Sequence, residues 1–265
     1  MDPFALPPLA AVLGTAYRAL MGLSHLLEPA LGVAAAAAAV VVVTLAVRAA
    51  LIPVGVSQAR AERTRARLAP RLAELQRRHR KDPEALQRAT MRLYADEGTT
   101  PLAGCLPMLV QAPVVGVIYA LFVHAQIAGH ANALLGHALF GVPLGSSLVG
   151  ALAGGGAGLP TFAVLGALVL AIALVGELTR RASLPGGPLA APAAPSVLTA
   201  PGASAQAGPL AGPGVQRALG ALQFVTAVVA CFVPLAAGLY LLVTVAWTLA
   251  QRVVLRRRYP LDVPA

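Results

Sequence analysis

The alternation of apolar and polar positions changes character several times along the chain, and each change predicts an element. Residues 9–29 set Leu13, Tyr17, Leu20, Leu23, Leu26 and Leu27 among Arg18, His25 and Glu28. That weakly amphipathic pattern suits an N-terminal helix lying on a membrane surface. From about Leu31 to Pro53 the run is apolar except for Thr44 and Arg48. It is long enough to cross a hydrocarbon core, which takes roughly 20 helical residues, and Pro53 marks its inner end. From Gly55 to Thr100 the chain is polar instead. Arg60, Arg63, Arg65, Arg67, Arg71, Arg77, Arg78, Arg80, Lys81, Arg88 and Arg92 alternate with Glu62, Glu74, Asp82, Glu84, Asp96 and Glu97. Nothing this polar spans a bilayer. Leu68, Leu72 and Leu75 recur at helical spacing, as do Leu86 and Leu93 further on. Between the two sets, Asp82-Pro83-Glu84 has the form of a helix start: an N-cap, a proline in the first turn and an acid beside it. Residues 54–100 are thus expected to be two helices in an antiparallel hairpin outside the membrane.

A second span is expected over 101–126. The loop after it, 127–159, carries no Lys, Arg, Asp or Glu; that gap runs from Asp96-Glu97 to Glu177. Its Gly150–Gly158 stretch is apolar but a poor helix former. A third span is expected over 160–179, although its apolar run could begin at Leu148, and Arg180 and Arg181 close it. The loop 180–216 contains a Pro-, Gly-, Ala- and Ser-rich linker at 183–214. A fourth span covers 217–234, a tight turn falls near Pro234, a fifth covers 235–255, and Arg256-Arg257-Arg258 open a short tail, 256–265.

Composition agrees. Of 265 residues, 58% are hydrophobic and 11% charged, and the mean hydropathy is +0.76. Soluble domains carry about 25% charged residues, so a water-exposed surface could not be covered. A β-barrel would need short alternating strands rather than continuous apolar runs. The formal net charge is +10, and Lys81 is the only lysine. The basic residues cluster after the first span, between the third and fourth, and after the fifth. Five spans with the N-terminus outside and the C-terminus in the cytoplasm satisfy the positive-inside rule at every loop. The charge is therefore topological, and no specific nucleic acid is implied. The start, MDPFALPPLAAVLG, lacks the basic region of a signal peptide. Two cysteines, Cys105 and Cys231, are too few for a disulfide framework or a metal site. His124, His130 and His137 lie towards the outside without neighbouring carboxylates, so neither catalytic residues, metal nor cofactor are expected.

Arg48 is the most informative residue. An arginine at a span centre costs roughly 2.5–3.5 kcal/mol on the insertion scale. It could snorkel, being about five residues (roughly 8 Å) from the inner end of the span. Alternatively, a water-filled cavity between helices keeps the guanidinium hydrated. Other polar residues favour the cavity. Thr44 is one turn earlier on the same face, and Gln111 interrupts the second span. Gln223 and Thr226 interrupt the fourth, and Tyr240, Thr244, Thr248 and Gln251 form a stripe along the fifth. No acid within the first two spans neutralises Arg48. Together these residues suggest a hydrated groove with one positive charge. The expected fold class is an all-α integral membrane protein, with five transmembrane helices around a hydrophilic groove and a cytoplasmic helical hairpin. A small-solute transporter would show paired repeats, and none is evident.

At these residues the chain resembles the YidC/Oxa/Alb membrane insertases, over about residues 31–258. Four pieces carry the resemblance in order: Thr44-Leu45-Ala46-Val47-Arg48 with Pro53 and Gln58; Leu93-Tyr94 followed by Pro101-Leu102-Ala103-Gly104-Cys105-Leu106-Pro107; Leu109-Val110-Gln111-Ala112-Pro113; and Leu239-Tyr240 through Trp247-Thr248 and Gln251. The resemblance implies an insertase and chaperone of the bacterial plasma membrane, with five helices around a groove open to cytoplasm and lipid and closed to the outside. Arg48 would engage client proteins, and Thr44, Gln111 and Tyr240 would line the groove; the pattern of polar residues in the spans adds Thr244 and Gln223 to that lining. The hairpin would be a mobile element near the groove entrance. Nascent membrane proteins would be the clients, and membrane lipids, the Sec translocon, the ribosome and the signal recognition pathway are the further partners that the resemblance suggests. The linker is longer than is usual in this family, the tail lacks the long basic extension of some relatives, and the large periplasmic domain of Gram-negative homologues is missing.

Overall fold

A computed structural model describes residues 7–98, 116–117, 119–124, 126–127, 130–184, 186–189 and 224–260. These belong to two compact units, one formed by residues 1–51, 111–179 and 223–249, the other by 52–110, 180–222 and 250–265. The expected second span lies mostly outside the described residues. So do the first part of the fourth span, most of the 183–214 linker, and Cys105, Gln111 and Gln223.

In the first unit, α1 (Pro7–Leu31) and α2 (Ala35–Ala50) are joined by a single 3-10 turn, Gly32–Ala34. Gly32 adopts a positive φ of 52°, a conformation open to a residue without Cβ, and the two helices pack against each other. Leu13 and Leu20 of α1 share one buried cluster with Ala36, Ala37, Ala39 and Val40 of α2. The run of alanines lets the backbones approach closely, the packing mode that membrane helices favour. Of the α1 leucines expected on one apolar face, Leu26 departs: it is 76% exposed. Helix α2 covers Ala35–Ala50 of the Leu31–Pro53 run. Glycine breaks it at the start. At its end Ile52 opens a new helix, with Pro53 in the first turn, where its missing N–H leaves no hydrogen bond unmade.

The long helix α6 (Leu159–Ser183) buries Leu165, Leu168, Ile172 and Gly176 and exposes Leu170, Leu174 and Leu178. The exposed three recur every four residues and form one stripe. Among the described residues, three helical segments are long and apolar enough to cross a membrane, within Ala11–Ala50, Leu159–Ser183 and Leu235–Arg258. Leucine faces of this extent require lipid rather than water. Helix α8 (Leu235–Arg258) meets α6 closely at Gly238, where a Cβ would come within 2.5 Å of Leu168 Cδ2.

The uncharged loop after the expected second span is ordered, and not wholly helical. It pairs β1 (Gln126–Ile127) with β2 (His130–Ala131) and β3 (Ala138–Leu139) with β4 (Val142–Pro143), both antiparallel. These two-residue strands amend the all-α expectation, because the loop satisfies its own backbone groups where no charged side chain could. Asn132 is its knot: the buried side chain donates to Leu121 O (2.8 Å) and His124 O (3.0 Å) and accepts from Leu134 N (3.2 Å). Tyr17 of α1 accepts from Ala133 N at 3.0 Å. The glycine-rich stretch forms a seven-residue helix after all, α5 (Leu148–Gly154), capped by Ser147 and ended by left-handed Gly155. After Gly155 the chain enters α6 anew, so the third span does not begin at Leu148. The short helix α7 (Val225–Ala230) precedes the turn into α8. Val149 N donates to Cys231 O, Leu235 N to Ser146 O, and Ala236 N to Leu144 O. Loop carbonyls thus satisfy the first amides of α8, which the helix itself leaves unpaired.

In the second unit, α3 (Ile52–Arg78) and α4 (Pro83–Asp96) fold back on one another. Asp82 caps α4 as its sequence requires, its Oδ1 accepting from Ala85 N at 2.9 Å. Arg67 and Arg71 reach the two carboxylate oxygens of Glu97 at 2.7 and 2.8 Å. Leu75 and Leu93 line a cleft between the helices, with Arg71, Arg78, Arg88 and Arg92 around it. The last turns of α8 run along the first half of α3. Gln251 sits over Gly55, Arg256 pairs with Glu62 at 3.0 Å, and Arg60 lies 5.7 Å from the Tyr259 ring centre. The Arg60 hydrogen bond and the Arg60 and Arg258 charges hold the Tyr259 hydroxyl below its ordinary pKa, with desolvation opposing them. The base of α3 is therefore clasped.

Replacing Asn132 by Ala would strand two buried carbonyls and an amide. At about 1–3 kcal/mol for such a loss, the apparent Tm in detergent is expected to fall by on the order of 5 °C. Gln126→Ala, on the exposed neighbouring strand, is expected to leave it unchanged; differential scanning fluorimetry compares the two.

Candidate functional site

Helix α2 carries two of the candidate residues one turn apart. Thr44 is buried, and its hydroxyl donates to Val40 O at 2.7 Å. Arg48, in the last turn, is half-buried and has no hydrogen bond or ion pair among the described residues. Glu28, an acid of the same unit, is exposed and lies beside His25. A guanidinium carries five donors and stays charged, so at Arg48 it needs water or an incoming acceptor.

Helix α8 carries two more. Tyr240 is buried, its ring tilted against Phe122 with centres 5.9 Å apart. The Thr244 hydroxyl is buried and unpartnered among the described residues. Threonines 15, 44, 64, 179 and 248 all satisfy their hydroxyls on the carbonyl four residues back; Thr244 does not. A buried hydroxyl without a partner costs on the order of 1–3 kcal/mol, and such a group in a native site calls for a reason.

Burial along the two helices locates these groups. In α2 the buried residues run from Ala35 to Thr44 and none follows; in α8 they run from Leu235 to Tyr240 and none follows. Helix α6 is buried at intervals all the way to Gly176. The first halves of α2 and α8 therefore close tightly, under the ordered loop. Their second halves, with Arg48, Thr244 and Thr248, are looser. No hydrogen bond joins any two of Arg48, Thr44, Tyr240 and Thr244 among the described residues. The structure places Thr44 and Tyr240 in the closed part and Arg48 at the loose end, while Gln111 and Gln223 lie outside the described residues. Sequence reading missed the residues that close the far end, Asn132 and Tyr17. An asparagine in an uncharged loop gives no periodic signal, so nothing in the pattern could have singled it out.

Long lipid-demanding helices around a core that is tight at one end and polar at the other define a helical integral membrane protein. The sequence pattern of the 60Kd inner membrane protein family matches residues 27–262, and the chain belongs to that family. It is similar to proteins named membrane protein insertase YidC. That of Oceanobacillus iheyensis is 38% identical over 92 residues, covering 33% of this chain and 36% of that one. That of Clostridium perfringens is 35% identical over 79 residues, covering 30% and 33%. That of Neisseria meningitidis serogroup B is 39% identical over 85 residues, covering 32% and 16%. The matched stretch thus spans about a third or less of the length of these relatives.

Truncating a buried aromatic costs about 3–5 kcal/mol. Tyr240→Ala is therefore expected to lower the apparent Tm markedly, whereas Thr244→Val, which removes an unpartnered hydroxyl, is expected to leave it unchanged or higher. Parallel thermal denaturation in detergent reads both, and equal losses would show that the Thr244 hydroxyl is bonded.

Proposed function

We propose that the protein is a membrane protein insertase and chaperone, taking hydrophilic segments of client proteins into a positively charged groove and releasing their apolar helices into lipid. The observation that carries this reading is Arg48: a half-buried cation without an ion-pair partner among the described residues, at the loose end of an otherwise tight core. In surroundings of low dielectric its field towards a carboxylate is stronger than in water. Polar peptide entering beside it meets a charge and side chains that can be hydrated, which lowers the cost of desolvating its backbone. Client hydrophobicity then drives the apolar part into lipid. No nucleotide is required by this scheme.

Thr44, Gln111, Gln223, Tyr240 and Thr244 are the groove-lining residues in this reading. Tyr240 and Thr44 form the closed floor, and Thr244 offers the first free hydroxyl above it. Basic residues stand in the last turns of α2, α6 and α8, so those ends face the cytoplasm by the positive-inside rule, and the N-terminus lies outside. The α3–α4 hairpin is then cytoplasmic. Nascent membrane proteins are the partners, with the protein acting alone or beside the Sec translocon. Family membership and the names of the relatives support the same activity.

In cells depleted of their own insertase, Arg48→Ala is expected to reduce insertion of a single-span client with an acidic translocated tail several-fold. Arg48→Lys is expected to retain most of it, and a client with a neutral tail to depend less on the charge. Protease protection of the translocated tail is the readout. Full insertion by Arg48→Ala would remove the client-binding role.

A further inference from the structure

The β3–β4 hairpin carries a residue that its turn does not suit. Leu139 pairs with Val142, leaving Phe140 and Gly141 as a two-residue turn with φ of 51° and 79°. Positive φ at both positions is the type I′ arrangement, which favours Asn-Gly or Asp-Gly. Gly141 fits. A bulky side chain at the preceding position is a backbone outlier, and Phe140 gains no packing in exchange, being 77% exposed. The strain is not imposed by a loose hairpin: Val142 and Leu144 are buried and Leu139 packs on the core, so the body is fixed and the tip projects from it.

The surroundings of the tip show what it meets. Strand β3 lies against the Gly32–Ala34 turn and the start of α2. At that turn Val33 is 76% exposed and Leu31 before it 46%. Two residues beyond Val33 the membrane-spanning α2 begins, with Val42 and Leu45 exposed along it. The exposed apolar surface therefore continues from a lipid-facing helix onto the turn, with the hairpin tip beside it. No Lys, Arg, Asp or Glu occurs in the whole loop, residues 127–159, so no permanently charged side chain there opposes contact with lipid.

We propose that Phe140, with Val33 and Leu31, forms a lipid anchor that seats the loop on the bilayer interface at the non-basic end of α2. Phe and Leu side chains on interfacial segments bury into the boundary between headgroups and acyl chains. The anchor holds the ordered loop at the membrane surface, over the closed end of the core. It rests on α2 crossing the membrane and not on the client-binding role of Arg48.

The test uses the full chain in phospholipid vesicles. A Phe140→Trp, Trp247→Phe variant carries one indole, at the hairpin tip. Its emission is expected to be blue-shifted, and quenched at least two-fold more by lipids brominated near the glycerol backbone than by lipids brominated at the chain ends, with little quenching by aqueous iodide. Emission of a solvated indole, quenched by iodide and indifferent to brominated lipid, would overturn the anchor. So would protection that appears only at high protein-to-lipid ratio, which would assign the tip to a second copy of the chain. Phe140→Asn supplies the favoured turn residue and is expected to keep or raise the apparent Tm in detergent. A fall would show that Phe140 packs within the protein, again overturning the proposal.

Discussion

In hydrocarbon every backbone polar group has to be satisfied within the protein, and this chain meets the requirement unequally at its two ends. At one end the ordered loop does the work. Leu144 and Ser146 carbonyls take the first amides of α8, Asn132 gathers two carbonyls and an amide, and Tyr17 holds Ala133. At the other end the helices finish in arginine, a residue that remains charged. One end can therefore be dry and the other cannot. Among the described residues, burial in α2 extends to Thr44 and in α8 to Tyr240 and no further.

The same inequality gives the proposed activity its direction. A groove open at both ends would leak, and one closed at both could admit nothing. With the floor at Tyr240 and Thr44, a polar segment entering from the basic side would advance only part of the way across the bilayer, leaving a shorter distance to cross. The clasp of α8 on the base of α3, through Gln251, Arg256 and Tyr259, limits motion at that base.

Much of this was legible in the sequence where periodicity or capping chemistry set the structure. Asp82-Pro83-Glu84 starts α4 because a carboxylate, a fixed φ and an acid in the first turn all favour the same helix end. The third apolar run became α6 within a few residues of its expected bounds, since Leu and Val repeat without interruption. Other features depend on contacts between distant residues and leave no local trace. The loop strands are two residues long and take their register from backbone bonds. Leu26 lies about 120° round the helix from Leu20 and faces outward, whereas Leu13 and Leu20, one heptad apart, are buried together. Gly155 splits the run from Leu148 because it adopts the left-handed conformation there, which a count of apolar residues cannot foresee. Of the candidate site, Arg48 was conspicuous as a lone charge in an apolar run. The unpartnered Thr244 hydroxyl was only one polar residue in a stripe, and its distinction from Thr248 is a matter of rotamer.

The proposed activity requires a core closed at the loop end and hydrated at the basic end. Single cysteines placed along α8 in a chain whose Cys105 and Cys231 are replaced by alanine, and probed in sealed vesicles with a membrane-impermeant maleimide, test it most directly. Position 248, which is exposed, is expected to react when reagent is added on the side of the C-terminus, and position 237, which is buried, from neither side. Silence at 248 from that side, or labelling of 237 from the opposite one, would overturn this reading.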